Sequence, residues 1–386
     1  MLIEDLDLAK PPFWIAVIGA AVVLSLIRHL PAKTPLFAAI NATLLAYLIG
    51  AVNASLVIAG LIAAWYVARR LHGTTRHWPW LIPAGLLTLA LFFVQKLPGA
   101  AASLHAVGLA PVLSAIGFSY AALRLVELWR AMVDKRHEPI GAIETINYIL
   151  PFHMMAAGPI QSIDDFIAQP GVASQLSRLD AIQGIYRIAL GCFKKFVVAA
   201  TVDATLLGDL SEPGVKWIVQ GPAFFIWLYL DFSAYSDIAC GAGRLMRVHT
   251  PENFNKPYIA RNMIDFWERW HISLSLWIRR NVFYPTQLTL VRSLGPKRTL
   301  FCASIAFLVA FSLCGVWHQV TLGWFLWGLT NAVGLVAVNI YRSRMQKRIG
   351  ATGVRGYLAN RWIHAFAVLL TLAWVSLSQI PVIAGW

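Results

Sequence analysis

The sequence "DFWERWHISLSLWIRR", from Asp265 to Arg280, places one histidine and three tryptophans between charged residues at both ends. Its spacing predicts a single amphipathic helix. Asp265 is expected to cap the N-terminus of this helix, with Glu268 as the reciprocal partner of a capping box. At about 100° per residue, the apolar face contains Trp267, Trp270, His271, Leu274, Trp277 and Ile278, and the opposite face contains Glu268, Arg269, Arg279 and Arg280.

His271 lies on the apolar face, which predicts that its imidazole points into protein or into a cavity. The alternative is a helix on the membrane surface whose histidine forms one structural hydrogen bond in the core. The pattern alone leaves both interpretations open.

The composition indicates what surrounds this helix. Of 386 residues, 58% are hydrophobic and only 13% are charged, and the mean hydropathy is +0.64. A soluble protein of this length could not bury that much apolar surface. The sequence therefore predicts an all-α polytopic membrane protein with about 9–11 helical spans. Windows that could supply them include Phe13–Ile27, Leu36–Tyr66, Trp80–Val94, Phe301–Val316 and Phe366–Ile380.

The net charge of +14 raises the question of nucleic-acid binding. The basic residues lie at the ends of the expected spans and not along one stripe, and no nucleic-acid-binding motif is present, so no nucleic-acid partner is expected. The positive-inside rule explains them better, with the acidic start "MLIEDLDLAK" outside. The residues then expected on the cytoplasmic side are Arg28, Lys33, Arg69, Arg70, Arg76, Arg124, Arg130, Lys135, Arg136, Arg342, Arg344, Lys347 and Arg348.

The chain is expected to form one integral membrane domain over residues 1–386. Its parts would be peripheral scaffold helices over 1–108, a catalytic core over 109–340 and a C-terminal helix over 341–386. The four cysteines, Cys192, Cys240, Cys302 and Cys314, lie in apolar stretches and are expected to be small core residues. The N-terminus has no basic region typical of a cleaved signal peptide.

Polar interruptions in the middle of the chain indicate where a site should be sought, because polar backbone at membrane depth must be buried in protein or line a wet cavity. His318, in "GVWHQ", stands between two apolar stretches. An ionisable residue at such a place is a functional hypothesis, and a neutral imidazole suits general-base catalysis. A histidine hydrogen-bonded at the end of a span is the structural alternative.

A third polar segment, "LYLDFSAYSDIACGAGR", contains Asp231 and Ser233. It lacks the G-x-S-x-G motif of hydrolase nucleophiles. The following "PENFNKPYI" is expected to be a loop or re-entrant segment, because its prolines break helices and its asparagines favour turns. The chain contains no H-E-x-x-H or C-x-x-C motif, so no metal is expected.

Several segments in order resemble one known family. They are "IGFSYAALRLVELWRA", "AAGPIQ", "GCFKKFVVA", "LYLDFSAYSDIACGAGRL", "PENFNKPYI", "FWERWHISLSLWIR" and "GVWHQ…LWG". From about Ile116 to Trp327, the chain resembles the membrane-bound O-acyltransferases (MBOAT). Within that family it is most similar to the bacterial branch containing alginate O-acetyltransferases and the D-alanyl transfer protein of teichoic acid modification.

The resemblance implies a multi-helix bundle with a central tunnel and with re-entrant or amphipathic helices, in the inner membrane of a bacterium. It implies transfer of an acyl group, expected to be acetyl, from a cytoplasmic thioester to a hydroxyl of an extracytoplasmic polysaccharide or relay partner. The donor would be acyl-CoA or an acyl-carrier protein, with no bound cofactor. An extracytoplasmic acyltransferase- or esterase-like partner is expected to complete the transfer.

The family's paired histidine positions correspond to His271 and His318, and the second is the one assigned to catalysis. His318 would then be the general base, and His271 would position the donor or stabilise the oxyanion. The expected substrate-binding residues are Trp267, Trp270 and Trp317 as a water-excluding wall, Asp231, Ser233 and Asn255 as their supports, and Arg279 and Arg280, with Lys194 and Lys195, as positive charge for the donor phosphate.

This chain departs from the family pattern at three positions. Arg280 replaces the aspartate that usually follows the arginine of a "W-x-R-D" sequence, Gln319 replaces a glycine after the second histidine, and Ala200 replaces an aspartate. These changes leave the donor and the acceptor open more than the reaction class. Aminoacyl transfer, a lipid or glycan transporter, and a non-catalytic scaffold of an envelope complex are the alternatives.

Overall fold

The computed structural model describes residues 11–26, 34–96, 118–155, 157–169, 176–207 and 213–385. Arg28, Lys33 and the acidic N-terminal segment, which enter the charge argument, lie outside these ranges. The described part of the chain is helical and forms only one isolated β-bridge, between Phe254 and Trp270. This confirms the all-α fold class.

The described residues form two compact units. One contains the residues up to Cys192 together with Tyr235–Pro251, and the other contains Phe193–Ala234 together with the residues from Glu252 onwards. The expected organisation into a scaffold, a core and a C-terminal helix stays a prediction.

The first unit contains eight helices and the last part of the long helix α10, whose first part belongs to the second unit. They are α1 (Pro11–Ser25), α2 (Pro35–Ile49), α3 (Ala51–His72), α4 (Trp78–Lys96), α5 (Phe118–Val133), α6 (Ala142–Ile149), α7 (Ile163–Ala168), α8 (Arg178–Phe193) and the end of α10 (Pro213–Met246).

The helices of the second unit are short around His271 and long on both sides of His318. They are α9 (Ala200–Leu206), the start of α10, α11 (Met263–Trp267), α12 (Ile272–Ile278), α13 (Tyr284–Leu294), α14 (Thr299–His318), α15 (Leu322–Ala359), α16 (Arg361–Ser378) and α17 (Ile380–Ile383). Two π-helical segments, Lys194–Ala199 and Arg279–Phe283, precede α9 and α13.

Four segments among the described residues are long and apolar enough to cross a membrane. They are Ala51–His72, Pro296–His318, Leu322–Val354 and Arg361–Ile383. Three of the four overlap windows that the sequence predicted as spans, and the four together confirm that this is a helical membrane protein. The number of spans over the whole chain stays a prediction.

Arg124 connects two of the segments that carry the family resemblance, because it lies in one of them and its side chain hydrogen-bonds to the backbone of the other. Its guanidinium is fully buried in the first unit, where it donates hydrogen bonds to the backbone oxygens of Ile149 (3.0 Å), Met154 (3.2 Å) and Pro159 (2.7 Å). Buried carbonyl groups outside regular helices need donors. One side chain of α5 therefore satisfies three carbonyls, one at the last residue of α6 and two in the chain that follows it.

The sequence predicted one helix from Asp265 to Arg280. The structure instead has two short helices there, α11 and α12. Helix α11 is capped by Asn262, whose side-chain oxygen accepts hydrogen bonds from the N–H groups of Ile264 (3.1 Å) and Asp265 (3.0 Å). Glu268 stands at the C-cap of α11, so the capping box predicted for Asp265 and Glu268 is wrong. The predicted apolar face is nevertheless buried, including all three tryptophans and His271.

Candidate active site

His318 is the last residue of α14, and only Gln319–Thr321 separate it from α15. Two glycines let these helices approach closely. A Cβ atom on Gly315 would lie 2.2 Å from the backbone oxygen of Trp324, and one on Gly328 would lie 2.2 Å from that of Phe311. Because no side chain fits between the backbones there, the end of α14 lies directly against the start of α15.

This close approach surrounds the half-buried His318 ring with indoles. Trp324 stacks on it with 4.6 Å between centroids and 20° between planes. Trp317 and Trp327 contact it edge to face at 4.7 and 5.3 Å. Trp324 and Trp327 are three residues apart on α15, so they share one helix face. The structure thus places His318 on an aromatic wall, as expected, and adds Trp324 and Trp327, which the sequence analysis did not single out.

His271 lies at the break between α11 and α12. Its backbone is left-handed, with φ 44° and ψ 52°, a conformation that is unfavourable for a residue with a Cβ atom. Asn253 stabilises this turn from the neighbouring loop. Its backbone oxygen accepts from the Ile272 N–H at 3.0 Å, and its side-chain oxygen accepts from the Ser273 hydroxyl at 2.6 Å.

The imidazole of His271 is 3% exposed and contacts the ring of Phe232 edge to face at 4.7 Å. It lies outside the four candidate spans. Burial lowers the pKa of His271 to about 3, because an imidazolium ion there would lose its hydration. His271 is therefore neutral at physiological pH and can donate only one ring N–H.

A continuous series of ring contacts joins the two histidines within the second unit. From His271 it passes through Phe232, Phe254, Trp270, Phe266, Trp267 and Trp327 to His318, with centroid distances of 4.7–5.9 Å. We call this the aromatic series. The structure therefore brings Trp267 and Trp270 between the two histidines, and it places Trp317 directly on His318.

A cavity of about 260 Å³ opens beside the aromatic series. Its wall contains Trp267 and Phe311, which contact each other at 4.8 Å, together with apolar residues of α12, α14 and α15. Its polar lining includes Glu268 and Arg279, which form an ion pair at 3.5 Å. The cavity is thus largely apolar, with paired charges on its wall.

Asp231 and Ser233 bind lysines of the first π-helical segment. The Asp231 carboxylate accepts from Lys195 Nζ at 2.5 Å, and both side chains are only 9% exposed. Lys194 Nζ donates to the Ser233 hydroxyl at 3.3 Å. Lys195 is therefore the partner of a buried carboxylate, whereas the sequence analysis expected it to supply positive charge for the donor phosphate.

Asn255 is exposed. Its backbone N–H donates to the Arg269 oxygen at 3.0 Å, and its backbone oxygen accepts from the Arg269 guanidinium at 3.2 Å. The buried polar residue of this loop is Asn253, which the sequence analysis treated only as a turn residue. No feature of "PENFNKPY" distinguishes its two asparagines. Arg280 follows Arg279 in the second π-helical segment and is half-buried.

Comparisons with known proteins identify the family. The model of the "MBOAT, membrane-bound O-acyltransferase family" matches residues 63–378. The chain is 28% identical to a teichoic acid D-alanyltransferase of Streptococcus thermophilus, over 78% of this chain and 74% of that protein. It is 31% identical to the "Probable alginate O-acetylase AlgI" of Pseudomonas fluorescens, over 60% of this chain and 44% of that protein.

A peptidoglycan O-acetyltransferase of Helicobacter pylori is 29% identical over 51% of this chain and 37% of that protein. The family match covers well over half of the chain, including both histidines and every ring of the aromatic series. The chain therefore belongs to the membrane-bound O-acyltransferase family and is an O-acyltransferase.

Proposed function

We propose that this protein transfers an acetyl group from a cytoplasmic thioester to a hydroxyl group of an extracytoplasmic cell-envelope polysaccharide or of a relay partner. The observation that carries the proposal is the position of His318, held by a close contact between two helices and surrounded by three indoles. A general base in an aromatic, water-poor site suits acyl transfer to an alcohol, because water would otherwise hydrolyse the donor.

In this mechanism His318 removes the proton from the acceptor hydroxyl. The oxygen attacks the thioester carbonyl carbon, and the carbonyl oxygen becomes an oxyanion. When the tetrahedral intermediate collapses, the C–S bond breaks, and the proton held by His318 passes to the departing thiolate. The products are the ester and a free thiol, and the imidazole returns to its neutral form.

His271 contributes as a positioning group in this proposal. A neutral imidazole can donate its single N–H to the donor or to the oxyanion without introducing a buried charge. Its left-handed turn, held by Asn253, fixes the direction of the ring. We assign the second π-helical segment to the donor, because Arg279 and Arg280 bring positive charge that would attract the phosphates of coenzyme A or of a carrier protein.

Aminoacyl transfer is the second candidate. It is favoured by the D-alanyltransferase names of the relatives from Streptococcus thermophilus and Bacillus subtilis, which match 78% and 68% of this chain. Against it stands Glu268, the one carboxylate among the described residues of the cavity wall, because its charge is already paired with Arg279. Label transfer from acetyl-CoA and from a D-alanyl carrier protein, measured side by side, separates the two donors.

For location, we propose the inner membrane of a bacterium, with several spans and an extracytoplasmic partner that completes the transfer. In this arrangement, a thioester in the cytoplasm donates its acyl group to an acceptor on the other side of the membrane. A lipid or glycan transporter, an alternative from the sequence analysis, does not fit the family to which the chain belongs.

The experiment is His318→Ala in the purified protein reconstituted in liposomes, assayed for transfer of labelled acyl group. Because a general base contributes roughly 10²–10⁴-fold, we expect activity to fall at least about 100-fold. The elution volume and melting temperature in detergent should stay close to wild type. The matched control is His364→Ala, which removes an exposed imidazole from the first turn of α16. More than about a tenth of wild-type activity in His318→Ala would contradict the assignment of the base.

A further inference from the structure

Two tryptophans of the aromatic series carry hydrogen-bond donors that no described residue accepts. Trp267 is 5% exposed and Trp327 is 6% exposed. The Nε1–H group of each is buried, with no acceptor in the described part of the chain. Buried tryptophans usually find a partner for this group, because a donor removed from water without one destabilises the fold.

One of the two residues lies in the cavity wall, and the other lies next to the proposed base. Trp267 forms part of the wall of the 260 Å³ cavity. Trp327 contacts Trp267 at 5.9 Å on one side and His318 at 5.3 Å on the other. The two indoles therefore connect the cavity to the proposed base, and both unsatisfied donors occur on this short path.

The chemistry of an indole N–H limits what it could bind. It donates one hydrogen bond, accepts none and carries no charge. In a wall made of rings and aliphatic side chains, its natural partner is a neutral oxygen acceptor such as the carbonyl of a thioester or an amide. A carbonyl oxygen that gains negative charge during the reaction would bind the donor more strongly in the transition state than before it.

We propose that Trp267 and Trp327 donate hydrogen bonds to carbonyl oxygens of the bound acyl donor. Trp327, next to His318, serves the reacting thioester carbonyl, and Trp267, in the cavity wall, serves an amide carbonyl of the donor's pantetheine arm. This inference rests on the proposed function, since it takes the donor to be an acyl thioester. It assigns the cavity to the donor arm and adds an indole to the groups that stabilise the oxyanion.

The test replaces each indole N–H and keeps the ring. β-(3-Benzothienyl)alanine, introduced site-specifically at position 267 or 327, substitutes sulfur for N–H, and Trp267→Phe and Trp327→Phe are the genetic counterparts. With the labelled donor that wild type uses, replacement at 327 should lower kcat roughly 10- to 100-fold with little change in KM. Replacement at 267 should raise KM for the donor roughly tenfold with little change in kcat.

Melting temperature separates this role from a structural one. The deleted N–H has no protein acceptor, so both benzothienyl variants should melt at or above the wild-type temperature. The matched control is position 374, where another buried indole N–H lacks an acceptor among the described residues but does not line the cavity. Its replacement should leave kcat/KM unchanged.

Two outcomes would overturn the inference. One is a kcat/KM within about twofold of wild type at both positions 267 and 327. The other is an equal loss at position 374. His318→Ala, assayed in parallel, reports on the proposed function separately, because its activity depends on the base and not on the indoles.

Discussion

His271 combines two unfavourable features in one residue, a left-handed backbone and a buried neutral imidazole. The left-handed conformation costs about 1–2 kcal/mol for a residue with a Cβ atom. The hydrogen bonds from Ile272 and Ser273 to Asn253 hold the turn in place. Such a combination persists only where neighbouring structure imposes it, and strained residues of this kind cluster at functional sites.

The burial of His271 predicts a pH dependence of stability. Below the unfolded pKa of about 6.5, the unfolded chain binds a proton that the folded chain does not bind until pH is near 3. Stability should therefore fall as pH falls from about 6.5 towards 3, by roughly 3 kcal/mol near pH 4.5. His271→Asn should remove this part of the loss, and asparagine tolerates the left-handed backbone.

The measurement is the melting temperature in detergent at pH 7.5 and pH 4.5. Wild type should lose more on acidification than His271→Asn does. His364→Asn is the matched control, because it removes an exposed imidazole and should keep the wild-type dependence. Parallel losses in wild type and His271→Asn would mean that the His271 imidazole is protonated in the folded protein.

At the scale of elements, the stretch from Asp265 to Arg280 shows what the sequence could and could not predict. The 3.6-residue period correctly selected the buried side chains, because burial follows composition over a few turns. The break before α12 depends on hydrogen bonds to Asn253, which lies in a separate loop. A hydrophobic period read within one segment does not reveal such a contact. The choice of cap was also undetermined, since Asn262 and Asp265 are both good N-cap residues three positions apart.

The same distinction applies to the site. His318 and the tryptophans adjacent to the two histidines in the sequence were predicted, because an ionisable residue among apolar ones is conspicuous in a sequence. Trp324 and Trp327, which contact His318 from the next helix, were not. The pairing of Lys195 with Asp231 was not, since it joins residues from different helical segments. Nor could the sequence indicate that Asn253, and not Asn255, is the buried asparagine, because the backbone of the loop decides which of the two side chains points inwards.

The contact between α14 and α15 gives a prediction at this scale. Gly315→Ala or Gly328→Ala would place a methyl group 2.2 Å from a backbone oxygen of the other helix. Backbone cannot yield as a flexible side chain can, so each variant should lose at least about 1–3 kcal/mol of stability. Activity should fall as well, because His318 would move relative to Trp324 and Trp327.

Gly356→Ala is the matched control for these glycines. It lies further along α15, beyond the kink at Gly350, and a Cβ atom there would meet nothing within 4 Å. Thermal unfolding in detergent and acyl transfer should be measured for all three variants. A Gly315→Ala protein with wild-type stability and activity would show that the two helices are not held this closely.

On the scale of the whole molecule, composition was enough to establish the class. A chain with 58% hydrophobic residues can satisfy its backbone in a membrane only as helices or a closed barrel, and the 3.6-residue pattern favoured helices. The division into two compact units could not be predicted in this way. It depends on contacts between residues far apart in the chain, as in the first unit, which combines residues up to Cys192 with Tyr235–Pro251.

The distribution of basic residues predicts the orientation of the molecule. Helix α3 carries Arg69 and Arg70 in its last turn and no acidic residue in its first. Its 22 residues span about 33 Å, enough to cross the hydrocarbon core. Because cytoplasmic loops are enriched in lysine and arginine, the end of α3 at Arg70 should be cytoplasmic and its start at Ala51 extracytoplasmic.

Single cysteines at exposed Arg70 and Ala51 test this orientation with a membrane-impermeant thiol reagent, in a background where the half-buried Cys192 is replaced by serine. Arg70→Cys, and likewise Arg344→Cys in the basic segment of α15, should react only when the cytoplasmic face is accessible. Ala51→Cys should react from the opposite face. The three native cysteines that remain are buried and should contribute little background. Labelling of positions 51 and 70 from the same side would contradict a crossing by α3, and labelling of 70 and 344 from opposite sides would contradict the charge argument.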